Sequence, residues 1–214
     1  KGINLAKTRY VLISNPDVIY ENNFFSNLKT YIDRNTDFSI IGPMYRSEDY
    51  ASHGFFEDLK KENSNNDTAV NQNLIKTHWI VGCTMFIDLN KFDNKNLFDE
   101  NFFLFFEEFD LCRRVLNKGG KIFVSKNLYV KHLGHKGSVA VDPKYEKESV
   151  FLRSWHWMWS SFYYYEKNFS YFYALKCMYG KFFRSIIKMI FYSVFYNSIK
   201  FKMYHGRVSG IWNR

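Results

Sequence analysis

Cysteine is scarce in this chain, and acid is nearly absent from its end. The three cysteines, Cys83, Cys112 and Cys177, are widely spaced and lie among apolar neighbours. That pattern excludes a disulfide framework and a cysteine-based zinc site, and it predicts a reducing compartment. No apolar run approaches the ~18 residues of a membrane-spanning helix. The best candidate, Met189 to Ile199, is closed off by Lys188 and Lys200. The opening Lys1-Gly2-Ile3-Asn4 lacks an initiating Met and the charged-then-apolar layout of a signal peptide. An excerpt or processed product is expected, soluble or lying on a membrane without crossing it. No internal repeat is visible.

What the chain does have is aromatic and basic residues. Its 214 residues are 46% hydrophobic, 21% aromatic and 24% charged, which excludes a disordered or collagen-like chain. The length allows a sizeable core without disulfide or metal staples. The formal charge of +9 is unevenly placed. Residues 1–152 hold 20 basic and 20 acidic side chains. Residues 153–214 hold 10 basic side chains, a single acid, Glu166, and 21 of the 44 aromatics. Two segments with different jobs follow, residues 1–141 and residues 142–214.

Along the first segment, strand and helix signals alternate, which favours an α/β sheet. Arg9 to Ser14 is a short apolar, β-branched run ended by Asn15-Pro16-Asp17. Asn22 to Arg34 carries the helical stripe Phe24, Phe25, Leu28, Tyr31 and Ile32. Phe38 to Ile41 reads as a strand stopped by Gly42-Pro43, and residues 46–76 are polar, with an exposed loop at 60–67. Trp79 to Ile87 reads as one strand interrupted by Gly82, a place where something approaches the backbone. Glu107 to Lys118 reads as a helix stopped by Gly119. Residues 121–124 and 128–130 read as two short strands beyond it. Asp142 as N-cap and Pro143 at the first position then open a long helical, aromatic and basic region.

Three places could do chemistry. Asp17 follows the first strand, and ligands in open α/β sheets bind beyond the carboxyl ends of strands. A carboxylate there can hold a divalent cation that grips a diphosphate, although Asn-Pro-Asp is also ordinary turn chemistry. In FDENFFLFFEEFDLCRR, residues 98–114, the acids Asp99, Glu100, Glu107, Glu108 and Asp110 crowd around five apolar residues. Desolvation and mutual repulsion raise a carboxylate's pKa and suit it to proton transfer. Acids at a helix start are also favoured by the helix dipole with no catalytic role. His132 follows a strand and can ligate a metal as neutral imidazole. The loop after it holds two glycines, Lys136 and Ser138 near a possible phosphate.

Taken in order, YVLISNPDV, WIVGCTMFID, LFDENFFLFFEEFDLCRRVLNKGGKIFV and VKHLGHKGS resemble glycosyltransferase family 2 in its rhamnosyltransferase-like bacterial branch. The resemblance covers roughly residues 2–140, and SWHWMWSSFYYYEKNF is similar to the C-terminal region of the same branch. It implies a partial GT-A fold, a Rossmann-like mixed sheet, in a metal-dependent hexosyltransferase of cell-envelope polysaccharide synthesis. A nucleotide-sugar donor, with dTDP-rhamnose the family-weighted choice, would bind through Mg2+ or Mn2+. The sugar would pass with inversion to a saccharide or lipid-linked saccharide acceptor. The resemblance places Asn15 and Asp17 at the metal motif, with Asp17 contacting the cation or the donor diphosphate. His132 completes the metal site, Glu108 is the general base with Glu107 and Asp110 beside it, and Trp79 and Gly82 line the acceptor side. Glu108 stands where the family has Asp. The extra methylene moves the carboxylate by ~1.5 Å, which leaves Asp110 as the alternative base. The family's nucleotide-binding β–α–β half would precede Asn15, where only 14 residues stand. The chain is therefore expected to be the C-terminal part of a longer enzyme, inactive alone.

Other classes remain. The carboxylates could be structural in a non-catalytic peripheral membrane or scaffold module. A glycoside hydrolase would use paired carboxylates, but adjacent residues such as Glu107 and Glu108 do not face each other on a helix. Nucleic acid is disfavoured, because an acidic site repels phosphates and no RNA-binding motif is present. The basic, aromatic tail suits an anionic lipid surface. The expected location is peripheral, on the cytoplasmic face of the cell membrane.

Overall fold

A computed structural model describes residues 2–45, 73–93, 96–133 and 143–214. The protein is mixed α/β, with one mixed sheet and several C-terminal helices. It divides into two compact units, Lys1–Leu97 with Leu111–Ser138, and Phe98–Asp110 with Val139–Arg214. The division expected near residue 141 therefore misplaces one segment. Phe98–Asp110, which carries the acidic cluster, belongs with the helices.

The first unit opens with a four-residue helix, α1 (Gly2–Leu5), followed by β1 (Tyr10–Ser14), β2 (Val18–Tyr20) and α2 (Phe24–Asp33). Then come β3 (Ile40–Tyr45), β4 (Leu74–Lys76), β5 (Thr84–Asp88) and β6 (Ile122–His132). The sheet order is β1-β5-β3-β6-β2, with β4 also paired to β6. Among the described strands, β3 and β6 run parallel and the other pairs are antiparallel. On one face α2 buries Phe24, Leu28 and Tyr31 against Phe38, Ile41, Phe86, Leu128 and Val130. Burying each such side chain contributes about 1.5–3 kcal/mol. The Tyr31 and Ser125 hydroxyls, 2.7 Å apart, tie α2 to β6 inside that core. Asp88 is 1% exposed, and the Arg9 guanidinium holds it by two hydrogen bonds of 3.0 and 2.7 Å.

Three strand expectations are corrected. Residues 122–132 form one strand, not two, because β6 is shared: β4 pairs Phe123–Ser125, β2 pairs Val130–His132, and β3 pairs both ends. The strand after Phe38 does not stop at Gly42-Pro43. Pro43 lies beyond the two β3 residues paired with β5 and at a register shift against β6, where a missing N–H is tolerated. Residues 77–83 are not strand, and the ladder begins only at Thr84. Their turn buries Ile80 and Cys83 and gives the Cys83 carbonyl to the Asn15 amide at 2.8 Å.

The helix α3 (Glu107–Asn117) begins in the second unit and ends in the first. It stops as expected at Gly119, whose φ of +75° is the left-handed region that side chains avoid. The second unit continues with α4 (Glu146–Asn168), α5 (Tyr171–Val194) and α6 (Ser198–Trp212). Asp142 lies outside the described residues. A short 3-10 turn at Pro143–Tyr145 leads into α4, so the long helix starts after the expected position. Ser170 caps α5 by accepting from the Tyr173 amide at 3.1 Å, and Asn197 caps α6 by accepting from Lys200 at 3.0 Å. The apolar run Met189–Ile199 is thus split between two helices. Among the described residues, no helix is long and apolar enough to cross a membrane.

The three long helices bury Met158, Phe162, Ala174 and Met178 together. Gly206 and Gly210 let α6 lie directly on the α4 backbone, since a Cβ at either would overlap the carbonyl of Phe151 or Trp155.

Candidate active site

In the first unit, Asn15-Pro16-Asp17 joins two strands that are not neighbours in the sheet. The turn is held at both ends. Asn15 donates its amide to Cys83, and the Asp17 carbonyl accepts from the Leu133 amide at 2.9 Å. The β2–β6 ladder pairs Val18 with His132, which brings Asp17 beside His132, 115 positions away in sequence. Asp17 Oδ1 then lies 3.2 Å from His132 Nε2, with side chains 12% and 11% exposed. Asp17 and His132, both assigned from sequence to the metal, thus stand side by side.

The pair fits one edge of a metal site. With bonds of about 2.1 Å, cis ligands of an octahedral ion stand about 3.0 Å apart. The Asp17–His132 separation is close to that. One oxygen and one nitrogen suit Mn2+ better than Mg2+, which takes oxygen almost alone. Among the described residues no group of three or more His, Cys, Asp or Glu is placed to hold a metal, so a cation here would take its other ligands from substrate and water.

Around the pair, Cys83 is buried, and burial pushes its thiol up to about 11, with the Asp17 charge adding to the rise. The Tyr45 hydroxyl donates to the Val81 carbonyl at 3.3 Å. Gly82 is in the same turn, next to Cys83, and Trp79, half-buried, precedes it. Sequence reasoning missed Tyr45, because its place here depends on β3 continuing past Pro43. Lys136 and Ser138 lie outside the described residues.

In the second unit, the segment before α3 is clamped onto α4. Ser160 donates to the Leu104 carbonyl at 2.8 Å. The Phe105 and Phe106 rings stand 5.2 and 5.4 Å from Trp157, and Phe106 is 5.5 Å from Tyr164. This packing holds Phe105 and Phe106 at φ of 68° and 70°, two consecutive left-handed residues that are not glycine. Each costs of order 1–2 kcal/mol. The strain sits immediately before Glu107 and Glu108 and aims the start of α3.

The acids of this segment divide into two kinds. Asp110 is fully buried, but Lys167 Nζ lies 2.9 Å from it and Asn168 donates to it at 3.3 Å. Asp99 accepts from the same Lys167 at 2.7 Å, from Tyr163 at 2.9 Å and from the Asn101 amide at 3.0 Å. Burial raises the Asp99 carboxyl, but these donors outweigh it and bring it down to about 2. Among the described residues no cation or side-chain donor helps Glu107 or Glu108 in this way; each has only a backbone hydrogen bond, from its own amide. Each residue is half-buried, and each Oε2 is shielded from solvent without a hydrogen-bond partner among the described residues. Burial, and then the Glu107 charge, push Glu108 up to about 7; burial also raises Glu107. Lys167, Asn168 and Tyr163 were not legible as site residues, because nothing near them in sequence is acidic except Glu166.

A separate cavity of about 210 Å³ in the first unit is lined by Asp37, Lys91, Lys118 and Lys121. Asp37 holds Lys91 at 2.5 Å and Lys121 at 3.0 Å, and Asp93 pairs with Lys118. Arg114 also lines it and donates to the Leu97 carbonyl, so each of these cations already has an acceptor within the protein.

No family model matches the chain, and no curated protein matches it. The functional reading therefore rests on the residues and their geometry.

Proposed function

We propose that the protein is an inverting, metal-dependent glycosyltransferase of GT-A type, resembling family 2. It would move a sugar from a nucleotide-sugar donor to a saccharide or lipid-linked saccharide acceptor at the cytoplasmic membrane face. The observation that carries this reading is the contrast between Glu108 and Asp110. An inverting transfer needs one base that is ionised near neutral pH yet basic enough to take the acceptor's hydroxyl proton. Glu108, at about 7 with an unpartnered oxygen, has those properties. Asp110 is instead engaged within the protein, because Lys167 and Asn168 occupy its oxygens. Glu108 is the base, Glu107 raises its basicity, and Asp110 positions the start of α3.

Asp17 Oδ1 and His132 Nε2 would hold the cation. When bound, that ion supplies charge neutralisation for the leaving diphosphate. Asn15 sets the turn that presents Asp17, and Trp79 and Gly82 are assigned to the acceptor.

The test is donor consumption and product formation by the protein in its full natural length, with a panel of nucleotide sugars and Mn2+. Glu108→Gln is expected to lower turnover at least 10³-fold, within the range for a lost general base and its positioning. Asp110→Asn is expected to cost less in turnover than in stability. Activity that survives Glu108→Gln and Asp17→Ala together overturns the reading in favour of the scaffold alternative. Turnover that persists in a chelator, with water as acceptor, points to a hydrolase.

A further inference from the structure

Helix α5 buries a narrow line of residues and leaves most of its surface bare, and a long apolar stripe runs along the bare side. Ala174, Met178 and Ser185 mark the inward face. Phe183, nine residues on from Ala174, points about 180° away from it at 100° per residue. Along that outward line stand Phe172, Tyr179, Phe183, Ile187, Ile190 and Val194, spaced by seven, four, four, three and four. Their exposure runs from 45% at Phe183 to 81% at Phe172. The stripe is about 33 Å long. A soluble monomer rarely leaves so long an apolar patch to water.

Charge identifies what covers it. Helix α5 holds Lys176, Lys181, Arg184 and Lys188 and no acid. From Lys167 to Arg214 there are nine cations and no acid at all. Glu166, the single acid of 153–214, is held by Arg214 at 3.0 Å. Lys176 is exposed within the stripe, and Arg184 is exposed at its margin. Lys181 and Lys188 are exposed as well, with their ammonium groups 5.8 and 5.3 Å from the rings of Tyr165 and Tyr204. A second copy laid on this stripe would set Lys176 and Arg184 against like charges. An anionic lipid surface offers hydrocarbon for the stripe and phosphate for the cations.

We propose that α5 lies in the plane of an anionic bilayer, with the Phe172–Val194 stripe seated below the headgroups. The Lys176 stem lies along the acyl boundary and its ammonium reaches up to lipid phosphate. The inference deepens the membrane placement above and rests on it, but not on sugar transfer. An active enzyme that ignores vesicles would sink this inference alone.

The full chain is mixed with phosphatidylcholine vesicles, with or without about 30% phosphatidylglycerol, and bound protein is measured by flotation. Binding is expected with the anionic lipid and is weakened by salt. Lys176→Gln with Arg184→Gln is expected to lower affinity for anionic vesicles about 30-fold, near fivefold per cation. Phe183→Ser with Ile187→Ser, both on the exposed face and checked for folding by circular dichroism, is expected to lose more than tenfold. Ile187→Trp is expected to shift its fluorescence to the blue on anionic vesicles. Failure of the parent chain to bind, or binding that the serine pair leaves unchanged, overturns the proposal. So does a concentration-dependent dimer that the serine pair dissolves, which would assign the stripe to a second copy.

Discussion

The Lys167 ammonium stands 2.9 Å from the carboxylate of Asp110, an acid with no exposed surface. It reaches Asp99 at 2.7 Å with the same nitrogen. One cation on α4 thus neutralises two acids of the cluster, and among the described residues Glu107 and Glu108 have no ion pair. The chemical character of Glu108 depends on this unequal sharing.

Lys167→Met is expected to destabilise the protein by about 3–5 kcal/mol, because it strands a buried carboxylate without its partner. Urea denaturation of the variant measures the loss. Adding Asp110→Asn is expected to recover part of it, since the uncompensated charge is then gone. A double variant no more stable than Lys167→Met would show that the pair matters by packing alone.

Glu108→Gln is expected to change stability in a pH-dependent way. The folded carboxyl titrates near 7 against an ordinary 4.5. It binds its proton more tightly folded than unfolded, so its stabilising contribution is full below about pH 4.5 and is lost as pH rises through 7. The amide cannot ionise, so the variant escapes that loss. Its thermal midpoint is expected to exceed the parent's at pH 8 and not at pH 4. The gain is about 1–2 kcal/mol, the linkage value reduced for a half-exposed group.

His132→Ala is expected to weaken Mn2+ binding more than tenfold when a nucleoside diphosphate is present. Isothermal titration of the natural full-length protein reads the affinity directly. Asp17→Asn is expected to act in the same direction. Unchanged affinity in both variants would move the cation elsewhere.

Gly206→Ala and Gly210→Ala are each expected to cost about 1–3 kcal/mol by overpacking the α4–α6 contact. The added methyl meets a main-chain carbonyl, which cannot turn aside as a side chain could. Chemical denaturation of each variant checks this, with Gly180→Ala as control. Gly180 is in α5 with open space around it, and that change is expected to be neutral or stabilising.

The sequence by itself determined whatever depends on neighbours a few residues away. The helix over Phe24–Asp33 follows from its apolar stripe, the end of α3 from Gly119, and the crowding of Glu107, Glu108 and Asp110 from plain adjacency. The basic, acid-free tail is equally a property of the chain. Tertiary structure decided what depends on distant partners. Residues 122–132 became one strand because three others pair with them. His132 met Asp17 through the β2–β6 register. Phe105 and Phe106 took strained angles because Trp157 and Tyr164 hold their rings. Asp110 gained Lys167 from 57 positions away, and Glu108 did not. A carboxylate's pKa is set by the charges and solvent within a few ångströms. Spacing could place the acids together, but only the packed chain could say which of them Lys167 reaches.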